Sequence, residues 1–354
     1  METEIFKEYD YLLPSELVAH EPAVVRDHAR LFVYDTQTDT IAFDIFKNVA
    51  LYLPKQSVMV LNDTKVVPAR LFGNITRGRA TQHIELLMLA NEPCSHPHGM
   101  YALTHNRVAV GRTIYFGSDA VCTVVGKERE RLILTCSMDF ETLLERHGKT
   151  PTPPYIEAHI PEEELRKRYQ TVYARKGASV AAPTASLHFT EEVFRSLKEK
   201  HIDKYCATLE VGMGTFAPVW DEHIQSGTLH SEWYTIPKDT VHAVVTAKNY
   251  ARPVIAVGTT VVRMLESAAN ELDMTVDATK DVSGSTQLFI RPGYQFSTVD
   301  HLITNFHVPR SSLMSLVDAF LVHKGSKKRI LELYSEAIKA KYRFYSFGDS
   351  MLIL

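Results

Sequence analysis

Residues 254–266 read Val-Ile-Ala-Val-Gly-Thr-Thr-Val-Val-Arg-Met-Leu-Glu. The four leading apolar residues show no polar alternation, the pattern of a strand covered on both faces, as in parallel sheets. Gly258-Thr259-Thr260 follows, and then a helical spacing that carries Val262, Leu265 and Glu266. A strand that turns through glycine into a helix leaves free backbone N–H groups at the strand's end, which suits a carboxylate or a phosphate. The stretch is neither G-x-G-x-x-G nor a P-loop, so it carries no nucleotide fingerprint. Arg263 lies one turn into the helix, where an ion pair with Glu266 is the plain alternative to an anion contact.

The same grammar recurs on either side. The apolar run 57–61 ends at Asn62-Asp63-Thr64, which reads as ligand groups at a strand end or as an Asx-turn. Residues 180–190 read Val-Ala-Ala-Pro-Thr-Ala-Ser-Leu-His-Phe-Thr. Their small residues allow close approach to the backbone, and His188 stands just ahead of a helix that Thr190 caps and Glu191 and Glu192 open. A strand over 301–304 runs into Asn305-Phe306-His307-Val308-Pro309-Arg310, and Ser311 caps the helix that follows. Between 71 and 137 the helical period vanishes. Short runs at 84–89, 108–110, 113–116, 120–125 and 132–135 are separated by turns, the spacing of a small barrel. The expected fold is therefore an α/β main domain, residues 1–70 with 138–354, interrupted by a small all-β barrel-like domain at 71–137.

Composition sets limits on function. The chain has 354 residues, enough for roughly two domains. Its net charge of −3 argues against a broad basic surface for duplex DNA and leaves room for a local patch that meets a compact RNA. The densest basic cluster, Arg166, Lys167, Arg168, Arg175 and Lys176, precedes the His188 loop; Lys339, Lys341 and Arg343 form a second. Cys94, Cys122, Cys136 and Cys206 show no Cys-x-x-Cys spacing and fit free thiols in a reducing compartment. His96 and His98 share a loop with no third ligand in view, so no metal is expected. No apolar run approaches the about 18 residues of a membrane span, and residues 1–10 lack a signal-peptide pattern. A cytoplasmic protein, monomeric by preference, is expected.

Residues 61–70 (Leu-Asn-Asp-Thr-Lys-Val-Val-Pro-Ala-Arg), 181–190, 256–267 and 304–311 resemble the S-adenosylmethionine:tRNA ribosyltransferase-isomerase family of bacterial queuosine biosynthesis. Residues 9–31, 153–156, 168–174, 230–234, 292–296 and 342–353 match its pattern too. The resemblance implies an α/β domain with an inserted β-barrel. It also implies transfer and isomerisation of the ribosyl part of S-adenosylmethionine onto 7-aminomethyl-7-deazaguanine at the tRNA wobble position. Epoxyqueuosine forms, and adenine and methionine leave. S-adenosylmethionine is a cosubstrate, and no prosthetic group is implied. Such chemistry needs a base for the carbon beside the sulfonium and a proton for departing adenine. His188, Glu232 and His307 are the candidates for proton transfer. Asn62, Asp63, Thr259, Thr260, Arg263, Asn305 and Arg310 are candidates to hold the substrate, and the 166–176 cations to hold tRNA at its anticodon loop. The chain departs from the pattern with Ser186 for Gly, Glu210 for His, Ala217 for Arg or Gln, and Thr104-His105-Asn106-Arg107 in the insert. These departures keep open a paralogue with another acceptor, or a catalytically silent RNA-binding relative. Retention of His188, Glu232, Arg263 and His307 speaks against the silent relative.

Overall fold

A computed structural model describes residues 4–77, 80–156, 159–212, 221–273 and 279–354; Ala217 lies outside the described residues. Strands Asp203–Leu209, Val58–Asn62, Val254–Val257 and His301–Asn305 lie side by side and parallel at the centre of a nine-stranded sheet. Every residue of Val58–Asn62 and Val254–Val257 is buried, as the unbroken apolar runs require. Alternate side chains feed two cores. Val58, Val60, Val254 and Ala256 meet helices Lys238–Asn249, Thr259–Ser267 and Ser312–His323 through Val244, Val262 and Val317. Met59, Leu61, Ile255 and Val257 meet Val49, Phe189 and Val193 on the other face.

The sheet changes direction at its far side. Strand Ser350–Ile353 runs antiparallel to His301–Asn305, with Asn305 opposite Ser350, and parallel to Arg30–Asp35, which pairs with Thr40–Ile45 as a hairpin. The amino ends of Ser350–Ile353 and Arg30–Asp35 therefore share one sheet edge with the carboxyl ends of the parallel strands. At the opposite margin, Thr228–Ile236 and Val282–Leu288 continue the sheet antiparallel.

The insert is a closed six-stranded antiparallel barrel, ordered Arg131–Cys136, Met100–Leu103, Ala80–Met88, Arg70–Arg77, Thr113–Phe116 and Ala120–Glu128. Leu71, Ile84, Leu86, Ile114 and Leu134 fill it. Gly73 makes room for that filling: a Cβ there would stand 2.7 Å from Ile114 Cγ2 and from Phe116 Cε1. Residues 108–110 form a loop rather than a strand; Val108 is buried in the barrel and Val110 is exposed. The helix Phe140–His147, capped by Asp139, covers the barrel with Leu143 and Leu144. The chain then returns past its own entry point, where the backbones of Arg70 and Lys149 exchange two hydrogen bonds, 3.2 and 2.7 Å long.

Candidate active site at the strand ends

In α/β sheets, ligands bind beyond the carboxyl ends of parallel strands. Here that edge is closed by side chains that tie loop to loop. Asn62 is fully buried; its Oδ1 accepts from the N–H groups of Thr64 and Leu209, both at 3.1 Å, and its Nδ2 donates to Leu209 O at 3.1 Å and Thr260 Oγ1 at 3.5 Å. Its hydrogen-bonding capacity is thus committed to holding two strand ends and the helix start at Thr260. Asp63 accepts from Thr208 Oγ1 at 2.7 Å, and its carbonyl accepts from Arg175 N–H at 2.9 Å. Thr184 Oγ1 donates to Asn305 Oδ1 at 2.9 Å, and Asn305 Nδ2 reaches Asp349 O at 3.5 Å. Gly258, at φ +91°, sits in the region that favours glycine, and Ala185 Cβ lies 3.9 Å from the Cβ it lacks. Asn62, Thr184, Ala185, Gly258, Thr260 and Asn305 therefore meet along one edge. Thr259 opens the helix of that edge, where the first N–H groups have no intrahelical acceptor.

The two candidate histidines differ. His188 is buried, stacks near Phe46 at 5.1 Å between ring centroids, and has Nδ1 3.1 Å from Ala185 O and Nε2 2.9 Å from Gly348 O. Burial holds its pKa below the usual range, while the two carbonyls oppose that shift. With both nitrogens against backbone oxygen, neither is left for a substrate. The ring instead ties the turn Thr184–His188 to the 346–349 segment, beside a cavity of about 230 Å³ that Arg26, Glu164, Arg168 and Ser346 help line. His307 has Nε2 2.9 Å from Thr304 Oγ1, and its backbone N–H and carbonyl are held by Tyr334 and Tyr11. Burial lowers its pKa to about 4, so the ring is neutral at pH 7 and able to accept a proton.

Glu232 and Arg263 form one buried unit. The guanidinium Nη1 donates to Glu232 Oε2, Nε donates to Leu288 O at 3.1 Å, and Nη2 is buried with no hydrogen-bond acceptor among the described residues. Arg263 does not pair with Glu266, the partner its spacing suggests. Glu266 accepts instead from the backbone N–H groups of Ser297, Thr298 and Val299 at 2.9, 3.0 and 3.0 Å. Arg310 stands at φ +53° and reaches Asp10 Oδ2 at 2.5 Å, tying its loop to the amino-terminal segment.

Glu210 enters the sequence reading only as a departure, yet it occupies the seam between sheet and barrel. Its Oε1 lies 3.3 Å from the Cβ position of Gly177, a spot only 2.8 Å from Thr64 Oγ1. Asn91 of the barrel domain donates to its carbonyl at 3.4 Å. Burial raises its carboxyl pKa. Ser186 Oγ and Tyr173 OH are also buried, facing each other. In the barrel, Thr104 Oγ1 donates to Glu85 O at 2.7 Å, and Glu85 N–H donates to Asn106 Oδ1 at 3.3 Å, so these departures knit a turn.

The cations of 166–176 divide in two. On helix Glu162–Arg168, Lys167 pairs with Glu163 at 2.8 Å and Arg168 with Glu164 at 2.6 Å. Arg166 donates to Gly148 O at 2.8 Å, with Glu162 3.7 Å from its Nε. That face is balanced in charge. Arg175 and Lys176 are exposed, beside Asp63, with no ion pair among the described residues. Among the described residues, no group of three or more His, Cys, Asp or Glu could hold a metal ion, and no helix is long and apolar enough to cross a membrane.

A parallel core whose carboxyl ends gather polar loops, with a closed barrel set into the chain beside them, defines an α/β protein with an inserted barrel. The family model described as "Queuosine biosynthesis protein" matches residues 6–353. The S-adenosylmethionine:tRNA ribosyltransferase-isomerase of Halothermothrix orenii is 42% identical over 98% of this chain and 99% of its own. That of Clostridium kluyveri is 41% identical over 98% of each. The crystal structure of the S-adenosylmethionine tRNA ribosyltransferase from Thermotoga maritima matches with TM-score 0.54 at 31% identity, covering 98% of this chain and 100% of that one. The chain belongs to the queuosine biosynthesis family.

Proposed function

We propose that this chain is an S-adenosylmethionine:tRNA ribosyltransferase-isomerase. It transfers and isomerises the ribosyl moiety of S-adenosylmethionine onto 7-aminomethyl-7-deazaguanine at the tRNA wobble position, with epoxyqueuosine, adenine and methionine as products. The observation that carries this reading is the meeting of Asn62, Thr184, Gly258, Thr260 and Asn305 along one strand-end edge, in a chain alike from end to end to enzymes of that name. S-adenosylmethionine is the cosubstrate, and the residues ask for no prosthetic group.

Within this reading, Thr259 and Thr260 offer the helix's first N–H groups to the substrate. Arg263, held by Glu232, offers Nη2 to an anionic group such as the methionine carboxylate. Asp63 and Arg310 border the substrate, and Asn62 and Asn305 fix the edge. His307, neutral and oriented by Thr304, takes the proton beside the sulfonium. His188 is a positioning residue. Arg175 and Lys176 meet tRNA phosphates beside Asp63, and Arg166, Lys167 and Arg168 contribute less because of their carboxylate partners. Residues 1–70 with 138–354 make the catalytic domain and 71–137 the insert, in a cytoplasmic monomer.

The test supplies S-adenosylmethionine and tRNA that carries the precursor base, and follows adenine, methionine and the modified nucleoside. All three should form. Adenine release that ignores the wobble base would favour another acceptor. Tight tRNA binding without adenine release would favour a silent relative.

A further inference from the structure

A second depression, about 400 Å³ in volume, lies between the 23–30 segment and the 341–349 segment. Its cations are Arg30, Lys341 and Arg343, with His28 beside them. Among the described residues, Asp349 is the only acid in its lining. That carboxylate is buried and already engaged by the N–H groups of Arg30 and Arg343, at 2.9 and 2.7 Å, and by Arg343 Nη2 at 3.4 Å. Among the described residues the Arg30 guanidinium meets no carboxylate: it donates to Ala340 O at 2.6 Å and Lys341 O at 3.2 Å, and lies 3.9 Å above the Tyr342 ring. The groove therefore keeps a net positive charge, in contrast to helix Glu162–Arg168, where each cation faces a carboxylate.

Its position follows from strand order. Because Ser350–Ile353 opposes His301–Asn305 and runs parallel with Arg30–Asp35, the groove opens on the sheet edge that holds the candidate site. Its floor is continuous with that site: Asp349 O accepts from Asn305 Nδ2, and Gly348 O meets His188 Nε2. Ala23 and Val24 line both this groove and the His188 cavity. Val24 is 88% exposed, an apolar side chain held out between cations.

We infer that this groove seats the sugar-phosphate backbone of RNA next to the nucleotide that reacts at the strand ends. The inference rests on the reading above that tRNA is a substrate. Lys341 and Arg343 take phosphates, Arg30 adds its field from the groove wall, and Val24 packs against a sugar or an unstacked base. A shallow, open, cationic trough suits a backbone track better than a flipped base, which needs an enclosing pocket.

The experiment measures affinity for precursor-bearing tRNA between 50 and 200 mM salt on three full-length variants. Lys341 sits at φ +58°, a conformation that Asn tolerates, so Lys341→Asn removes the charge with little backbone strain. One lost phosphate contact lowers the log–log salt slope by roughly 0.7 to 0.9, which makes the fall in affinity over that range about threefold smaller. Val24→Glu should weaken binding and Val24→Lys tighten it, with opposite signs at a position too exposed to affect folding. S-adenosylmethionine affinity and Tm should match the parent. If the parent binds tRNA and all three variants keep its affinity and slope, the groove is not the RNA seat. If the parent neither binds tRNA nor releases adenine, the functional reading fails and takes this inference with it.

Discussion

Glu232 is the residue whose replacement says most about the site. It is 5% exposed and Arg263 9%, so the pair sits in a medium that screens charge poorly. Glu232→Ala leaves a buried guanidinium whose Nη1 loses its acceptor while Nη2 has none, with only Nε still bonded to Leu288 O. An orphaned partner of a buried pair costs about 3–5 kcal/mol, and the existing vacancy at Nη2 points to the upper half of that range. With a urea slope of roughly 3 kcal/mol/M, the unfolding midpoint should fall by about 1.3 to 1.7 M. The double replacement Glu232→Leu with Arg263→Met removes both charges and should recover most of the loss, since hydrophobic substitutes for buried pairs are often neutral. Activity separates the roles. A proton-transferring Glu232 predicts that Glu232→Gln loses far more activity than its loss of stability accounts for. An ion-pair Glu232 predicts that Glu232→Gln loses stability with activity, and that the double variant regains stability alone. A midpoint shift below about 0.3 M for Glu232→Ala would refute the argument.

Acid should destabilise the protein in a defined window. Burial lowers the pKa of His301 and of His307 to about 4, and lowers that of His188, so the folded state binds fewer protons than the unfolded one. Their contribution is therefore complete above about pH 6.5 and is lost as pH falls toward 4; unfolding midpoints that stay level from pH 7.5 to 5 would contradict this. Asn62→Ala should cost about 3 kcal/mol or more, because the buried N–H and carbonyl of Leu209 and the N–H of Thr64 lose their partner, and calorimetry or urea titration reads it directly. An Asn62→Ala protein of unchanged stability but weakened S-adenosylmethionine affinity would make Asn62 a ligand contact rather than a clamp.

The parts legible in the sequence were local. The buried strand, glycine and helix over 254–267 announced a parallel sheet by period alone, and the barrel announced itself by losing helical period. Residues 108–110 misled because three apolar-flanked positions in a loop copy a short strand when one of them, Val108, plugs a core. What stayed hidden was long-range. Arg263 and Glu232 are 31 residues apart, so the i,i+3 neighbour Glu266 looked the natural partner. His188 meets Gly348 across 160 residues, and nothing near it signals that both ring nitrogens are taken. The balance on helix Glu162–Arg168 was available: Glu162, Glu163 and Glu164 stand four residues before Arg166, Lys167 and Arg168.

Ser350–Ile353 lies between His301–Asn305 and Arg30–Asp35, and so welds the early hairpin to the rest of the sheet. Translation delivers the hairpin first and its neighbour about 300 residues later, on the order of 15 to 60 s at ordinary rates of synthesis. Through that interval Arg30–Asp35 has one open backbone edge, and Phe43 and Ile45 of its partner strand stay exposed even in the finished protein. The nascent chain thus carries a sticky ribbon that only its own distant segment can cover. Moving Ser350–Ile353 ahead of the hairpin by circular permutation would shorten that wait, and the yield of soluble protein in a chaperone-poor translation extract would show how much of the aggregation hazard lies there.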